Sequence, residues 1–220
     1  MNPPLFRLVN QSFSYPGQPV LSELNLSIHP GEKVAIIGPS GSGKTSLIRL
    51  LSQQSTVPFA LVPQQYGLVK QLSLLHNIYM GQLDQRSTWK NLSTLIWPSR
   101  KIKEQIEQLL KPLGLSGFAS KQTGKLSGGQ QQRVAIGRAL YRSANLFLAD
   151  EPVSAVDSRQ ASGLIDYIFS RQNTVVLVLH SVDLALEKAE RIIGLKSGKL
   201  FFDLKPEEVS KSHLAELYQQ

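Results

Sequence analysis

The residues best suited to do chemistry are Gly38-Pro39-Ser40-Gly41-Ser42-Gly43-Lys44-Thr45, and the chemistry is that of phosphate. They fit Gly-x4-Gly-Lys-[Ser/Thr]. Glycines let the backbone turn tightly enough for successive amides to face a polyphosphate, and a helix starting there adds its positive end. Lys44 supplies a mobile cation for the terminal phosphates, and the Thr45 hydroxyl suits Mg²⁺. A Gly/Ser-rich surface turn would share the composition but not the setting. Val34-Ala35-Ile36-Ile37 reads as a strand before the loop, and Ser46-Leu47-Ile48-Arg49-Leu50-Leu51 as a helix after it. The stretch is read as a nucleotide site.

An α/β frame must hold this loop, and the chain is long enough for one: 220 residues make one sizeable domain rather than two. Its 41% hydrophobic and 18% charged residues are soluble, globular proportions. Net charge is 24 − 16 = +8, without a run of five basic residues, so a solvated surface is expected and no nucleic-acid partner. Cysteine is absent, which removes disulfides and thiolate metal sites and suits a cytosolic protein. No apolar run is long enough to span a bilayer, and no signal-peptide pattern opens the chain.

In chain order, Pro4–Val9 and the segment to Tyr15 read as strand, closed by a Pro16-Gly17 turn. Leu24–Ile28 alternates as a half-buried strand, and Pro30-Gly31 turns into the strand before the phosphate loop. Phe59–Val62 is a short strand ending at Pro63-Gln64-Gln65. Residues 66–125 read as broken helices, with helical spacing of Ile102, Ile106, Leu109, Leu110 and Leu113. Trp89 and Trp97 are expected to pack in the core. A helix follows Leu126–Gln130, then strand Leu146–Ala149, helix Ser158–Ser170 and the all-apolar strand Thr174–Leu179. Strands at Arg191–Leu195 and Lys199–Leu204 flank a Ser197-Gly198 turn, and a short helix from Pro206 closes the chain. This alternation predicts a parallel sheet covered on both faces.

A second glycine pair, in Leu126-Ser127-Gly128-Gly129-Gln130, lies at a helix start 126 − 44 = 82 residues beyond Lys44. With it the chain resembles the ATP-binding cassette family from about Leu5 to Asp203. The resemblance implies a P-loop NTPase: a RecA-like parallel core, an N-terminal antiparallel β-subdomain, and an inserted helical subdomain at about residues 66–142 of a single domain, 1–220. It implies ATP as substrate and Mg²⁺ as cofactor, with Gly38, Ser40 to Ser46, Lys44 among them, around the phosphates. Asp150, Thr45 and Gln64 match the metal shell, Glu151 the general base, His180 the γ-phosphate contact, and Tyr15 the ring that stacks on adenine. Ser154-Ala155-Val156-Asp157 resembles the family's D-loop. Ser127, Gly128, Gly129 and Gln130 would act in trans, on ATP held by the other subunit of an ATP-bound homodimer.

One departure stands out. Lys44 and Gln64 are 64 − 44 = 20 residues apart, shorter than the family's interval. Residues 52–58 are too few and too polar for a hairpin, so a direct loop and a β-subdomain at least two strands short are expected.

Local wording, including Gly81-Gln82-Leu83, Ser87-Thr88-Trp89 and Leu179–Ala185, resembles the ATPases of phosphonate importers. That implies a peripheral subunit on the cytoplasmic face of the membrane, a separate transmembrane permease, and indirectly an extracytoplasmic solute-binding protein. The permease would dock in a groove lined by residues of 65–100, including Tyr66, Leu68, Met80 and Trp89. The competing readings are the ATPase of an exporter or lipoprotein-release system, and a soluble cassette ATPase acting on nucleic acid or ribosomes.

Overall fold

A computed structural model describes residues 3–219. Its centre is a six-stranded sheet built from β3 (Lys33–Ile37), β4 (Phe59–Val62), β5 (Leu146–Asp150), β6 (Thr174–Val178), β7 (Arg191–Lys196) and β8 (Lys199–Leu204), in the order β4-β5-β6-β3-β7-β8. Every residue of β5 and β6 is buried, as unbroken apolar runs require when helices cover both faces. The strands are parallel up to β7. The last pairing differs: β8 runs antiparallel to β7 at the edge of the parallel core. Ser197 and Gly198 both take positive φ, 48° and 76°, the geometry of a tight two-residue hairpin. So short a link cannot carry the chain to a parallel neighbour.

The N-terminal sheet has two strands, β1 (Phe6–Tyr15) and β2 (Gln18–Ile28), paired antiparallel from Phe6 with Ile28 to Tyr15 with Gln18. The helix after the phosphate loop, α1 (Lys44–Gln54), leads through residues 55–58 straight to β4. No strand lies between them, as the length of that interval predicts. Leu8, Leu21, Leu24 and Ile28 of the small sheet join Leu47 and Leu51 of α1 in one apolar cluster against the main sheet. Truncating a residue such as Leu51 to Ala would cost about 2–5 kcal/mol.

Residues between β4 and β5 form α2 (Leu74–Tyr79), a 3-10 segment at Met80–Gln85, α3 (Thr88–Ile96), α4 (Arg100–Leu110) and α5 (Gly128–Tyr141). Ile102, Ile106, Leu109 and Leu110 line the buried side of α4, as their spacing predicts. Buried Asn77 ties this region together: its amide accepts from the Val69 N–H at 2.9 Å and donates to the Thr123 hydroxyl at 2.9 Å. The tryptophans do not pack in the core. Trp89 is 82% and Trp97 83% exposed, and Thr94 is the one buried residue of α3. Asn91 and Thr94, not the apolar side chains, turn α3 toward the body.

The far side carries α6 (Ser158–Arg171), α7 (Val182–Lys188) and α8 (Lys211–Tyr218). Helix α7, which the sequence reading does not include, is a two-turn helix capped by the Ser181 hydroxyl, which accepts from the Leu184 N–H at 3.2 Å. Among the described residues, no helix is long and apolar enough to cross a membrane.

Candidate active site

The phosphate loop leaves the C-terminal end of the central strand β3. Gly38 has φ 151°, and a Cβ there would lie 2.1 Å from the Leu195 carbonyl oxygen. Gly43, at φ 100°, is the residue before α1, and a Cβ would meet Leu21 at 2.6 Å. Both positions therefore demand glycine. Gly43 also brings no side chain to cap α1. The first-turn amides of Lys44, Thr45 and Ser46 have no partner within the helix, and with its dipole they suit an anion. The Gly198 N–H donates to the Ser42 carbonyl at 3.1 Å, so the β7–β8 turn buttresses the loop.

Lys44 is buried, and its ammonium donates to the Gly38 and Pro39 carbonyls at 2.9 and 2.8 Å. Burial lowers its pKa, and the neighbouring Glu151 and Asp150 charges oppose that shift. Asp150 ends β5 at 2% exposure, and neither of its carboxylate oxygens has a hydrogen-bond partner. Burial pushes its pKa up; the nearby Thr45 hydroxyl, outside hydrogen-bond geometry, only partly offsets this. A buried carboxylate with both oxygens free, beside a hydroxyl and a lysine, fits a hard divalent cation such as Mg²⁺.

Glu151 sits just past the strand with φ 55°, and its N–H donates to the Val178 carbonyl at 3.2 Å. Its Oε1 lies 2.6 Å from Nε2 of His180, which follows β6. The side chains are 15% and 58% exposed, so the pair opens outward from a nearly buried carboxylate. Gln64 is exposed two residues beyond Val62, the partner of Ala149 in the sheet. Its own side chain makes no hydrogen bond among the described residues.

Tyr15, at the end of β1, lies under the Arg49 guanidinium of α1, 5.2 Å from ring centre, and edge-on to Phe13. The Ser127–Gln130 run forms a complete cap on α5. The Ser127 hydroxyl accepts from the Gln130 N–H at 3.3 Å, and the Gln130 side chain accepts from the Ser127 N–H at 3.1 Å. Ser127 and Gly128 are exposed, and no hydrogen bond runs from 127–130 to the phosphate loop among the described residues. Gly129 is held close, with the Ala155 carbonyl 2.7 Å from where a Cβ would stand.

Two residues that the sequence reading passed over support this arrangement. Gln132, fully buried, donates to the Glu151 carbonyl and the Ser154 hydroxyl, at 3.0 and 3.1 Å, and accepts from the Ala155 N–H at 3.1 Å. It fixes the segment that carries Glu151. Arg138 of α5 donates to the carbonyls of Tyr66 and Gly67, joining the capped helix to the chain just past Gln64.

A parallel sheet that brings a glycine loop, a lysine and a buried aspartate to one edge defines a nucleoside-triphosphate-binding P-loop protein. The family described as ABC transporter matches residues 21–154. A phosphonates import ATP-binding protein of Bdellovibrio bacteriovorus is 35% identical, covering 98% of this chain and 94% of that protein. One from Escherichia coli K12 is 35% identical, with 90% and 88% covered. The solved dimeric structure of a bacterial ABC transporter cassette has a TM-score of 0.77 at 29% identity, covering 91% of this chain and 98% of that one. A second, a post-hydrolysis state bound to ADP and Pi, has a TM-score of 0.72 at 28% identity, with the same coverage. The chain belongs to the ABC transporter family, and it is a nucleotide-binding ATPase of that family.

Proposed function

We propose that this ATPase drives import of a phosphonate or related phosphorus oxyanion through a separate permease. The observation that carries the reading is the 35% identity, over almost the whole chain, to a phosphonates import ATP-binding protein. In this reading Gly38, Ser40, Gly41, Ser42, Gly43, Thr45 and Ser46 surround the phosphates, and Lys44 leaves its two loop carbonyls to meet the terminal ones. Bound Mg²⁺, held by Thr45, Asp150 and Gln64, would neutralise charge between the β- and γ-phosphates. Glu151 takes the proton of the attacking water, and His180 steadies that carboxylate and reaches the γ-phosphate. Tyr15 stacks on the base.

The outward-facing cap at Ser127, Gly128, Gly129 and Gln130 supports a role on ATP held by a second copy, in an ATP-bound homodimer. Permease docking is supported by a groove of about 370 Å³ between β4 and the helical region, lined by Phe59, Leu61, Met80, Gly81, Arg138 and Arg142. Of the residues expected in that groove, Met80 lines it and Tyr66, Leu68 and Trp89 do not. The subunit then works at the cytoplasmic face of the membrane, and an extracytoplasmic binding protein selects the solute.

Growth tests the assignment. Deleting the gene, or replacing it with Lys44→Ala, should abolish growth on a phosphonate or phosphite as sole phosphorus source. Normal uptake of all such solutes, with no second ATPase able to substitute, overturns the import reading and leaves the ATPase standing.

A further inference from the structure

Both ends of the phosphate loop are held by the β7–β8 hairpin. At the loop's start, the Leu195 carbonyl of β7 closes on Gly38 and leaves no room for a Cβ. At its end, the Gly198 N–H donates to the Ser42 carbonyl at 3.1 Å. The Ser42–Gly43 peptide is trans, so its C=O and N–H point in opposite directions. Tying the Ser42 carbonyl to the turn therefore aims the Gly43 N–H away from it. That N–H has no hydrogen-bond partner among the described residues. The turn thus sets the direction of an unspent amide donor.

The same turn is fixed from its other side by the N-terminal sheet. The Ser22 N–H of β2 donates to the Gly198 carbonyl at 2.9 Å. A Cβ on Gly198 would stand 2.3 Å from the Val20 carbonyl oxygen, and φ there is 76°. Only glycine fits. Fully buried Leu21 fills the space beside Gly43, so β2 also reaches the end of the loop directly. At the open end of the hairpin, Arg191 donates to the Ser27 carbonyl of β2 at 2.9 Å and pairs with Glu32 at 2.9 Å and Asp203 at 2.6 Å. Two separate points therefore pin β2 to β7 and β8.

We propose that Gly198 is a positioning residue of the nucleotide site: it joins the N-terminal sheet to the phosphate loop and holds the Ser42–Gly43 peptide ready for a phosphate. Its contribution is preorganisation. A turn displaced by a side chain leaves ATP to order the loop as it binds, so the loss falls on affinity.

ATP turnover and tripolyphosphate binding test this, because tripolyphosphate has neither base nor ribose and reports on the loop alone. In Gly198→Ala, KM for ATP should rise about tenfold or more with kcat near the wild-type value, and tripolyphosphate should bind more weakly by a similar factor. Gly117→Ala is the control: its φ is 77°, nothing lies within 4 Å of the added Cβ, and it sits between α4 and α5. Its KM and its tripolyphosphate affinity should match the wild type. Should Gly198→Ala not fold, hydrogen exchange of the wild type decides. Binding at the loop tightens the joint by linkage, so tripolyphosphate should slow exchange of the Ser22 and Gly198 amides and leave that of Gly117 unchanged. An unchanged KM in folded Gly198→Ala overturns the proposal, as does an equal rise in Gly117→Ala. Weaker ATP binding with tripolyphosphate unaffected overturns it too, and so does unchanged exchange at Ser22. Wild type that binds no tripolyphosphate overturns the phosphate placement on which the proposal rests, and the proposal with it. None of these results bears on what is transported.

Discussion

Nε2 of His180 stands 2.6 Å from Oε1 of Glu151, and the two follow the neighbouring strands β6 and β5. The pairing occupies one of the two carboxylate oxygens. Glu151 is also held with its backbone in the left-handed region, which side chains enter only under constraint from their surroundings.

If Glu151 is the base proposed above, Glu151→Gln keeps the shape and removes it. ATP turnover should fall about 10²–10⁴-fold, while nucleotide affinity stays near that of the wild type. Sedimentation with ATP should then show an accumulated dimer. Turnover close to the wild-type rate would take Glu151 out of the reaction.

Asp150 opposes stability when no ligand is bound. Its pKa is raised by burial, so the folded state holds the proton more tightly than the unfolded chain, whose carboxyl titrates near 3.9. Above the unfolded value, stability falls as pH rises until the folded-state carboxyl has lost its proton. Asp150→Asn removes the buried charge, so it should raise the melting temperature of nucleotide-free protein and abolish turnover. Thermal denaturation at neutral pH decides: a lower melting temperature for the Asn variant means the charge is stabilised where it stands.

Gln132 offers a test of positioning rather than chemistry. Gln132→Leu strands the Ala155 N–H and releases the Glu151 carbonyl, at a cost of about 1–3 kcal/mol. The maximal rate should drop while KM for ATP hardly changes, and Gln132→Glu, which keeps the acceptor, should recover part of the rate. An unchanged rate in a destabilised Leu variant would make Gln132 purely structural.

Tyr15→Ala should weaken nucleotide binding by about 1–3 kcal/mol, or 5- to 150-fold, with little effect on the maximal rate. Stacking is tolerant of base identity, so GTP should also serve. Titration with a fluorescent nucleotide measures both; unchanged affinity would leave the ring as a prop for Phe13 and Arg49.

Local signals were the legible ones. The phosphate loop could be read because glycine spacing, a preceding apolar strand and a following helix all lie within one short stretch. The absence of a hairpin before Phe59 followed from the shortness and polarity of residues 52–58. Gln132 was not legible: third in the run Gln130-Gln131-Gln132, it resembles solvent-facing helix, and only tertiary packing buries it. The tryptophans failed for a related reason. Amphipathic spacing shows that α3 has two faces but not which one turns inward; Asn91, bound to Tyr79 and Leu83, and buried Thr94 mark the inward one.

The strand β4 has a neighbour on one side only, because β5 is its sole partner in the sheet. Its outer row of amides and carbonyls, beside half-buried Phe59 and Leu61, is a place where a stray strand could add. A newly made copy that has not yet met its partner carries that risk in solution. At four residues β4 allows only a short ladder. Its brevity lets the edge stay open for assembly without becoming a seed for aggregation.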